Sequence, residues 1–400
     1  MLLWTGQVVS TVGSRVTSLA APLLVLALTH SPTKAGIVGF TQTLPYPLFY
    51  LLAGALVDRW NRKALMLACD AGRAVAIATI PLALWLGWIS IAQIMIVAFI
   101  DGTLFVFFSL AESSALPQIV RKQQLPTAIA QNQAREQGAA LIGQPLGAVL
   151  FGISRSLPFV ADAVSYAVSL IALTFIRPAF QEKRTPVQTQ LRTEIAEGVR
   201  WLWRQSFLRA AVMLIAGANF VLNGLVLALI VRAKELGFSS ATIGAIFAFY
   251  GGAAVTGSLI APFVQRRLSE RVIVLGAPCT WALGIATLAF LPNAVALGTA
   301  YGLTALTGPV FNVVLASYRY ALVPDRLLGR VGSVARVFGW GTIPLASLST
   351  GLLLDSIGGV RTLLTLSGLM FAVAIGSFLS PSLRSLPRVQ TLLTPEKGLR

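Results

Sequence analysis

Long apolar runs, separated by short polar and charged stretches, occupy most of the 400-residue chain. A helix needs about 20 mainly apolar residues to cross a bilayer, and a window of that length finds twelve such runs. The pattern therefore predicts twelve membrane-spanning helices, at residues 3–28, 36–57, 64–87, 89–112, 131–153, 158–177, 208–231, 239–264, 272–291, 294–317, 331–354 and 359–380.

The longest polar segment lies midway along the chain and ends in LRTEIAEGVRWLWRQ. Ile195, Val199 and Leu202 share one face of a helix there. Together with Trp201 and Trp203, they predict a helix that lies on the cytoplasmic surface of the membrane. The chain divides into a six-helix bundle (1–177), a linker (178–207), a second six-helix bundle (208–380) and a cytoplasmic tail (381–400).

Composition supports an all-α polytopic membrane protein. The chain is 56% hydrophobic and 11% charged, whereas about a quarter of the residues of a soluble protein are charged. The net charge of +17 does not indicate nucleic-acid binding, because no soluble basic domain is present. With both termini in the cytoplasm, 24 of the 31 lysines and arginines face the cytoplasm and 5 face outward, as the positive-inside rule requires. The excess of arginine over lysine suggests a bacterial source, hence a bacterial cytoplasmic (inner) membrane.

Several chemical activities lack the residues that they need. The chain has one histidine, His30, and two cysteines, Cys69 and Cys279, which lie in separate apolar runs. Neither a metal site nor a nucleophilic catalytic set is predicted from these residues. A phosphate-binding GxxxxGK[ST] loop is absent from the sequence. We therefore expect no enzyme activity, no cofactor and no ATP hydrolysis.

One charged motif follows the second predicted span. The stretch GALVDRWNRK, residues 54–63, resembles the loop signature of the major facilitator superfamily, Gly-x-Leu-x-Asp-Arg-x-Gly-Arg-Arg/Lys. Asn61 stands where the signature has glycine, and asparagine also tolerates a left-handed turn. The related stretch APFVQRR, residues 261–267, ends the eighth predicted span. The resemblance implies the major facilitator fold, in which two six-helix bundles form a repeat.

The resemblance also implies a cytoplasmic gate at this motif. Gly54 would let a neighbouring helix approach closely. Asp58 would sit at the amino end of the eleventh span, where the helix dipole favours an anion. Arg62 would pair with Glu112 at the end of the fourth span, and these contacts would break when the cytoplasmic side opens. The alternative is that the cations only fix the topology, and we prefer this alternative for Lys63. The motif also contains Arg59.

Other stretches resemble the branch that contains enterobactin exporters and macrolide-efflux proteins. They are PDRLLGRVGSVAR (324–336), the DG pair at 101–102, and GAALIGQPLGAVL (138–150). The last is similar to the Gly-Pro motif in span 5 of drug–proton antiporters, but Gln144 replaces the glycine before the proline. The residues of this antiporter-like motif are Gly138, Gly143, Pro145 and Gly147.

Ionisable residues inside spans are costly, so each is a candidate for the transport chemistry. Asp101 and Arg15 lie about halfway along the fourth and first spans, and we predict that they pair across a central cavity. Asp101 is the candidate for proton coupling or for binding a cationic substrate, and a static ion pair that fixes helix packing is the alternative. Asp70 and Arg73 are one helical turn apart, and we predict a structural pair.

Uncharged polar residues complete the predicted cavity. Asn219 and Asn223 lie four residues apart on the seventh span, where they would bind substrate or hold a helix contact. Tyr301 on the tenth span is a further candidate.

The sequence thus predicts a secondary active transporter. We expect proton-coupled export of a small lipophilic or amphiphilic compound, such as a drug, antibiotic or siderophore, by a monomer in the lipid bilayer. The alternatives are an importer or metabolite exporter with other coupling, and a non-transporting scaffold or receptor.

Overall fold

The computed structural model describes residues 2–57, 59–120, 124–176, 191–324 and 327–386. All regular structure in these ranges is helical. The helices are α1 (Leu2–Thr29), α2 (Pro32–Thr43), α3 (Pro45–Val57), α4 (Arg62–Leu86), α5 (Ile91–Ile119), α6 (Leu125–Ile153), α7 (Leu157–Thr174), α8 (Leu191–Arg204), α9 (Ser206–Glu235), α10 (Ser240–Arg267), α11 (Glu270–Leu288), α12 (Ala294–Leu322), α13 (Leu328–Trp340), α14 (Ile343–Leu379) and α15 (Pro381–Arg384).

In the residues that the structure describes, twelve segments correspond to the crossings that the hydrophobic pattern predicts. By length and composition alone, 9 helical stretches of the described residues qualify. One of these, Gly329–Leu379, contains two crossings, because Gly358 turns the chain inside α14 with φ 76° and ψ 174°. The second crossing is divided between α2 and α3, and the fifth, α6, begins with a polar third.

The second crossing breaks where the sequence places two prolines. α2 ends at Thr43, and α3 starts at Pro45. A proline nitrogen cannot donate to the preceding turn, so the helix restarts at this residue. The eleventh crossing breaks in the same way between Trp340 and Ile343, just before Pro344.

Helix starts follow the local sequence. Ser31 caps α2, and Ser90 caps α5 by accepting from the backbone N–H of Gln93. Asn61 is extended, with φ −64° and ψ 110°, and its side chain accepts from the N–H of Ala64 at 3.1 Å. The predicted left-handed turn at Asn61 is therefore wrong, because this residue serves as the amino-terminal cap of α4.

The halves of the chain pack as two groups of helices. In the first half, α7 packs against α1 and α4, and α4 packs against α5. In the second half, α14 packs against α9 and α11, and α12 packs against α10 and α11. The halves meet where α2 packs against α14, α6 against α10, and α3 against α13. This arrangement is the two-bundle fold expected from the sequence.

Helix α8 covers the end of the second half. Leu202 is 1% exposed and packs in a cluster with Val331 and Val334 of α13. Glu197 accepts from Arg330 of α13. Leu202 of the predicted membrane-surface face is thus covered by protein, whereas Ile195 and Val199 are only partly buried.

Candidate transport site and gate

Arg73 of α4 and Asp101 of α5 form an ion pair inside the first half. Nε of Arg73 donates to Oδ1 of Asp101 at 2.8 Å, and the side chains are only 6% and 9% exposed. The predicted pairs, Arg15 with Asp101 and Arg73 with Asp70, are both wrong. α1 packs against α6 and α7, whereas α5 packs against α4, so residues at similar depth on α1 and α5 do not become neighbours.

Aromatic rings surround the Arg73 guanidinium. Its central carbon lies 4.3 Å from the ring centroid of Tyr166 and 5.5 Å from that of Phe105. The Tyr166 hydroxyl lies 2.8 Å from that of Ser14 on α1. Rings with their faces toward a cation stabilise the charge in a site of low dielectric. This packing joins α1, α4, α5 and α7.

Arg15 pairs instead with Glu136 of α6, at 3.1 Å. Their side chains are 40% and 41% exposed. Arg135 lies 3.6 Å from the other oxygen of Glu136, and it binds both oxygens of Glu112 at 2.5 and 3.2 Å. A chain of alternating charges therefore runs from the exposed end at Arg15 to the half-buried Glu112.

Tyrosine and tryptophan rings from both halves face this charged region. The Tyr46 ring centroid lies 5.6 Å from that of Phe105 and 6.0 Å from that of Trp340 in the second half. The charges of Arg15 and Glu136 act on Tyr46, and the charge of Arg15 also acts on Tyr250 of α10. The region thus combines aromatic rings of both halves with a partly exposed ion pair.

The predicted uncharged cavity residues mainly contact protein. Nδ2 of Asn219 donates to the carbonyl of Gly339 at 2.8 Å, and Nδ2 of Asn223 donates to the carbonyl of Asn219 at 2.9 Å. Tyr301 is 3% exposed and stacks on Tyr250 at 4.4 Å. Asn219 thus connects α9 to α13, Asn223 bonds within α9, and Tyr301 packs on the ring of Tyr250.

Sequence reasoning missed Glu136, Asp162, Tyr46 and Tyr250. Glu136 and Asp162 lie inside the predicted spans 131–153 and 158–177. A search of every span for ionisable residues would have found both. No sequence signal separates Tyr46 and Tyr250 from the other aromatic residues of the spans.

The structure describes most residues of the gate motif at positions 54–63. Asp58 lies outside the described residues, so its predicted place beside the eleventh span stays a prediction. Arg62 is buried, and its Nη1 donates to the carbonyl of Ser114 at 2.7 Å. Glu112 binds Arg135 in place of the predicted Arg62. Arg59 is exposed.

Two further residues of the motif differ from expectation. Nζ of Lys63 donates to the carbonyls of Ile176 at 2.6 Å and Thr174 at 3.2 Å. Lys63 therefore caps the carboxyl end of α7, which is more than a topological role. A Cβ atom placed on Gly54 would meet none of the described residues within 4 Å, so the predicted close approach of a helix is not seen on this side of Gly54.

The glycines of the antiporter-like motif in α6 differ in the space around them. A Cβ atom on Gly143 would lie 2.5 Å from the Arg15 Cβ atom and 2.7 Å from the Val12 carbonyl oxygen, and one on Gly147 would clash with the backbone of Val16. These two glycines permit close packing of α6 on α1. Gly138 has open space around its Cβ position.

On its other side, this segment of α6 contacts the second half. Around Pro145, α6 meets Gly244 of α10: a Cβ atom on this glycine would lie 2.9 Å from the Pro145 carbonyl oxygen. The antiporter-like motif therefore lies at the boundary between the halves.

The two halves are locked together at one end of the molecule. Oδ2 of Asp355 on α14 accepts from the Ser31 hydroxyl and from the Thr33 N–H, both at 3.0 Å. A Cβ atom on Gly36 would lie 2.9 Å from the Cα atom of Gly351. This end of the interface, which we call the Asp355 latch (Ser31, Thr33 and Asp355), is closed.

Residues 1–391 match the protein family described as transmembrane secretion effector. The chain is similar to the multidrug efflux pump Tap of Mycolicibacterium fortuitum, with 25% identity over 390 residues that cover 94% of this chain and 93% of that protein. It is also similar to macrolide efflux protein A of Streptococcus pyogenes, with 21% identity over 383 residues that cover 93% of each.

The fold is similar to that of the nucleoside transporter NupG. The TM-score is 0.72, with 14% identity, and the likeness covers 96% of this chain and 99% of that chain. At this identity the similarity concerns the fold alone.

Proposed function

The chain belongs to the transmembrane secretion effector family of the major facilitator superfamily, and on that premise we propose that it exports small lipophilic or amphiphilic drugs from a bacterial cell in exchange for protons. It is a multi-pass membrane transporter for a small molecule, not an enzyme. The drug class, the proton coupling and the direction are parts of the proposal. The names of the multidrug and macrolide efflux relatives support export.

The observation that carries the proposal is the charged and aromatic region between the halves. The rings of Tyr46 and Trp340, whose centroids are 6.0 Å apart, come from different halves. The charges of the partly exposed Arg15–Glu136 pair act on Tyr46, and the charge of Arg15 also acts on Tyr250. Aromatic rings bind the apolar part of an amphiphile, and the Glu136 carboxylate attracts a cationic group. A ligand bound here touches both halves, so it can respond to their relative movement.

Alternating access provides the route. The Asp355 latch closes one end, which we assign to the outside, with both termini in the cytoplasm. For the outer end to open, the Asp355 contacts must break while contacts at the GALVDRWNRK loop form and close the cytoplasmic end. In this proposal Asp58, Arg62 and Glu112 stabilise the cytoplasmic-closed state, and a single chain contains the whole route.

Proton coupling is assigned to the acidic cluster around Arg73, which consists of Asp70, Asp101 and Asp162. Asp101 is the member that pairs directly with Arg73. Phe105 connects this cluster to the aromatic region between the halves, because its ring contacts both the Arg73 guanidinium and Tyr46. A change in the charge of the cluster would therefore alter the packing of this aromatic region.

Drug accumulation in a bacterial host without its main efflux pumps tests the function. We compare cells that carry empty vector, the wild-type protein or Asp101→Asn. Each strain is tested on a panel of macrolides, dyes and siderophores. We expect the wild type to lower accumulation of at least one compound, and both Asp101→Asn and a protonophore to abolish this effect. If no compound responds although the protein reaches the membrane, the proposal of drug export is wrong.

A further inference from the structure

Helix α7 has a buried polar face. Asp162, Ser165, Tyr166 and Ser169 follow at helical spacing, so they lie on one side of the helix. Their exposed fractions are 1%, 4%, 0% and 0%. This side faces α1 and α4, because Tyr166 meets Ser14 of α1, and Ser169 binds a carboxylate of α4.

Asp162 is enclosed by α1. A Cβ atom placed on Gly13 would lie 2.6 Å from Oδ1 of Asp162 and would also clash with Ser165. The Ser165 hydroxyl is 2.7 Å from the backbone carbonyl of Asp162 and 3.3 Å from its Oδ1, so it donates mainly to the carbonyl. Across the ranges that the structure describes, no cation forms an ion pair with the Asp162 carboxyl.

The cation whose charge acts on Asp162 is Arg73, and it already has a partner. Its Nε atom donates to Asp101 at 2.8 Å. Its guanidinium stacks on Tyr166, one turn from Asp162 along α7. Asp101 repels a negative charge on Asp162. One guanidinium therefore serves two carboxyl groups, and a buried carboxylate without a cation of its own binds a proton.

Asp70, the third buried acid of this region, has better support as an anion. Its Oδ2 accepts from the Ser169 hydroxyl at 2.6 Å, and Nε2 of Gln7 donates to the same hydroxyl oxygen at 3.1 Å. The amide fixes the direction in which the serine donates. A short, oriented hydrogen bond to a carboxylate favours its ionised form. At Asp162 the Ser165 hydroxyl lies farther from the carboxyl, at 3.3 Å, and the Thr17 hydroxyl of α1 also acts on it.

We propose that Asp162 carries the proton that is exchanged for substrate, and that Asp162 and Asp101 share Arg73 as their counter-ion during the cycle. The inference rests on proton-coupled export. The charged and titratable groups that act on Asp162 are Arg73 of α4, Asp101 of α5 and Tyr166 of α7, while α1 adds the uncharged Thr17.

The proton balance follows from this geometry. In the present conformation Asp162 is neutral, and Arg73 neutralises Asp101. When α1 separates from α7, water reaches Asp162 and accepts its proton. The new carboxylate competes for Arg73, so Asp101 loses part of its counter-ion. Because Phe105 contacts both Arg73 and Tyr46, this exchange alters the packing of Tyr46 between the halves.

Infrared difference spectroscopy of the full-length protein in liposomes tests the proton directly. Spectra are recorded from about pH 5 to about pH 9, a range in which a buried carboxyl can titrate. We expect the carbonyl band of a protonated carboxylic acid in the wild type and in Asp70→Asn, and its loss in Asp162→Asn. The inference is overturned if the band persists in Asp162→Asn, or if the wild type has none at any pH.

Transport separates this inference from the proposed function. Ethidium and erythromycin serve as probes in proteoliposomes, with and without a pH gradient. We expect Asp162→Asn to retain exchange of labelled for unlabelled probe and to lose gradient-driven accumulation. If Asp162→Asn accumulates probe as the wild type does, the inference fails while proton-coupled export stands. If the wild type exchanges probe but accumulates no more of it with a pH gradient than without one, the proposal of proton coupling itself is wrong.

Thermal unfolding and gel filtration check that Asp162→Asn is folded. The amide is the same size as the carboxyl, and its oxygen can still accept from Ser165. If the variant does not fold, the pH dependence of the wild-type band decides the matter, because an absent band contradicts a protonated buried acid.

Discussion

Two ion pairs in the first half of the chain differ in their contact with water. Arg73 and Asp101 have side chains 6% and 9% exposed, whereas Arg15 and Glu136 are 40% and 41% exposed. Removing one member of a buried pair leaves the other charge without compensation. Water can solvate what remains of an exposed pair. The same chemical contact therefore has a different energetic role at the two sites.

Arg73→Met should destabilise the folded protein far more than Arg15→Met. We expect a loss of about 3–5 kcal/mol at the buried pair and about 0–1 kcal/mol at the exposed pair. Thermal unfolding in detergent measures both, and the two substitutions are chemically identical. Equal losses of stability would contradict the assigned difference in burial.

The sequence reveals which charges are intramembrane but not which of them pair. Asp70, Arg73 and Asp101 were recognised because each interrupts an apolar run, and all three are buried. Pairing also depends on the rotation of each helix and on its neighbours. α1 packs on α6 and not on α5 in the described contacts, so Arg15 reaches Glu136 instead of Asp101.

At the scale of helices, glycines on α6 decide how closely the first and fifth crossings approach. A Cβ atom on Gly143 would lie 2.5 Å from the Cβ atom of Arg15. That substitution would push α1 away and would move Arg15 relative to Glu136. Gly138 lies on the same helix with open space around its Cβ position.

Gly143→Ala should reduce both stability and transport, whereas Gly138→Ala should not. Overpacking a tight helix interface costs about 1–3 kcal/mol. Alanine at the open position avoids this cost and has the better helix propensity. Unfolding temperature and ethidium export measure the two effects. Tolerance of Gly143→Ala with full export would contradict the close α1–α6 contact.

The helices themselves were largely predictable, because crossing length and apolar content are local properties. Details that depend on contacts with other helices were not predictable from the sequence. The break at Pro45 could be placed from the sequence, but the burial of Leu202 under α13 could not. An amphipathic helix has the same pattern whether its apolar face meets lipid or protein.

For the whole molecule, the contact between the two halves defines the conformation. The second and eleventh crossings lie side by side and run antiparallel. Thr33 bonds to Asp355 near one end. Nearer the other end, Nη1 of Arg336 donates to the Tyr50 hydroxyl at 2.6 Å. The Asp355 latch closes one end of this contact. Breaking it should shift the equilibrium toward a state open at that end.

Asp355→Ala should increase the separation of the halves at this end, because it removes the acceptor for Ser31 and Thr33. Spin labels at the exposed Lys34 and Ser356 report the distance. Ser349→Ala is the control, since its hydroxyl donates only to its own helix, at 2.6 and 3.3 Å. An unchanged distance distribution in Asp355→Ala would show that the latch does not hold this end closed.

The most direct test of the account is ethidium accumulation by wild-type protein in proteoliposomes with an acidified lumen. Proton-coupled export through the acidic cluster predicts accumulation against the ethidium gradient, its collapse with a protonophore, and its absence in Asp101→Asn. Two results would contradict the coupling assigned to the acids around Arg73. One is ethidium accumulation that a protonophore does not reduce, and the other is full accumulation by Asp101→Asn.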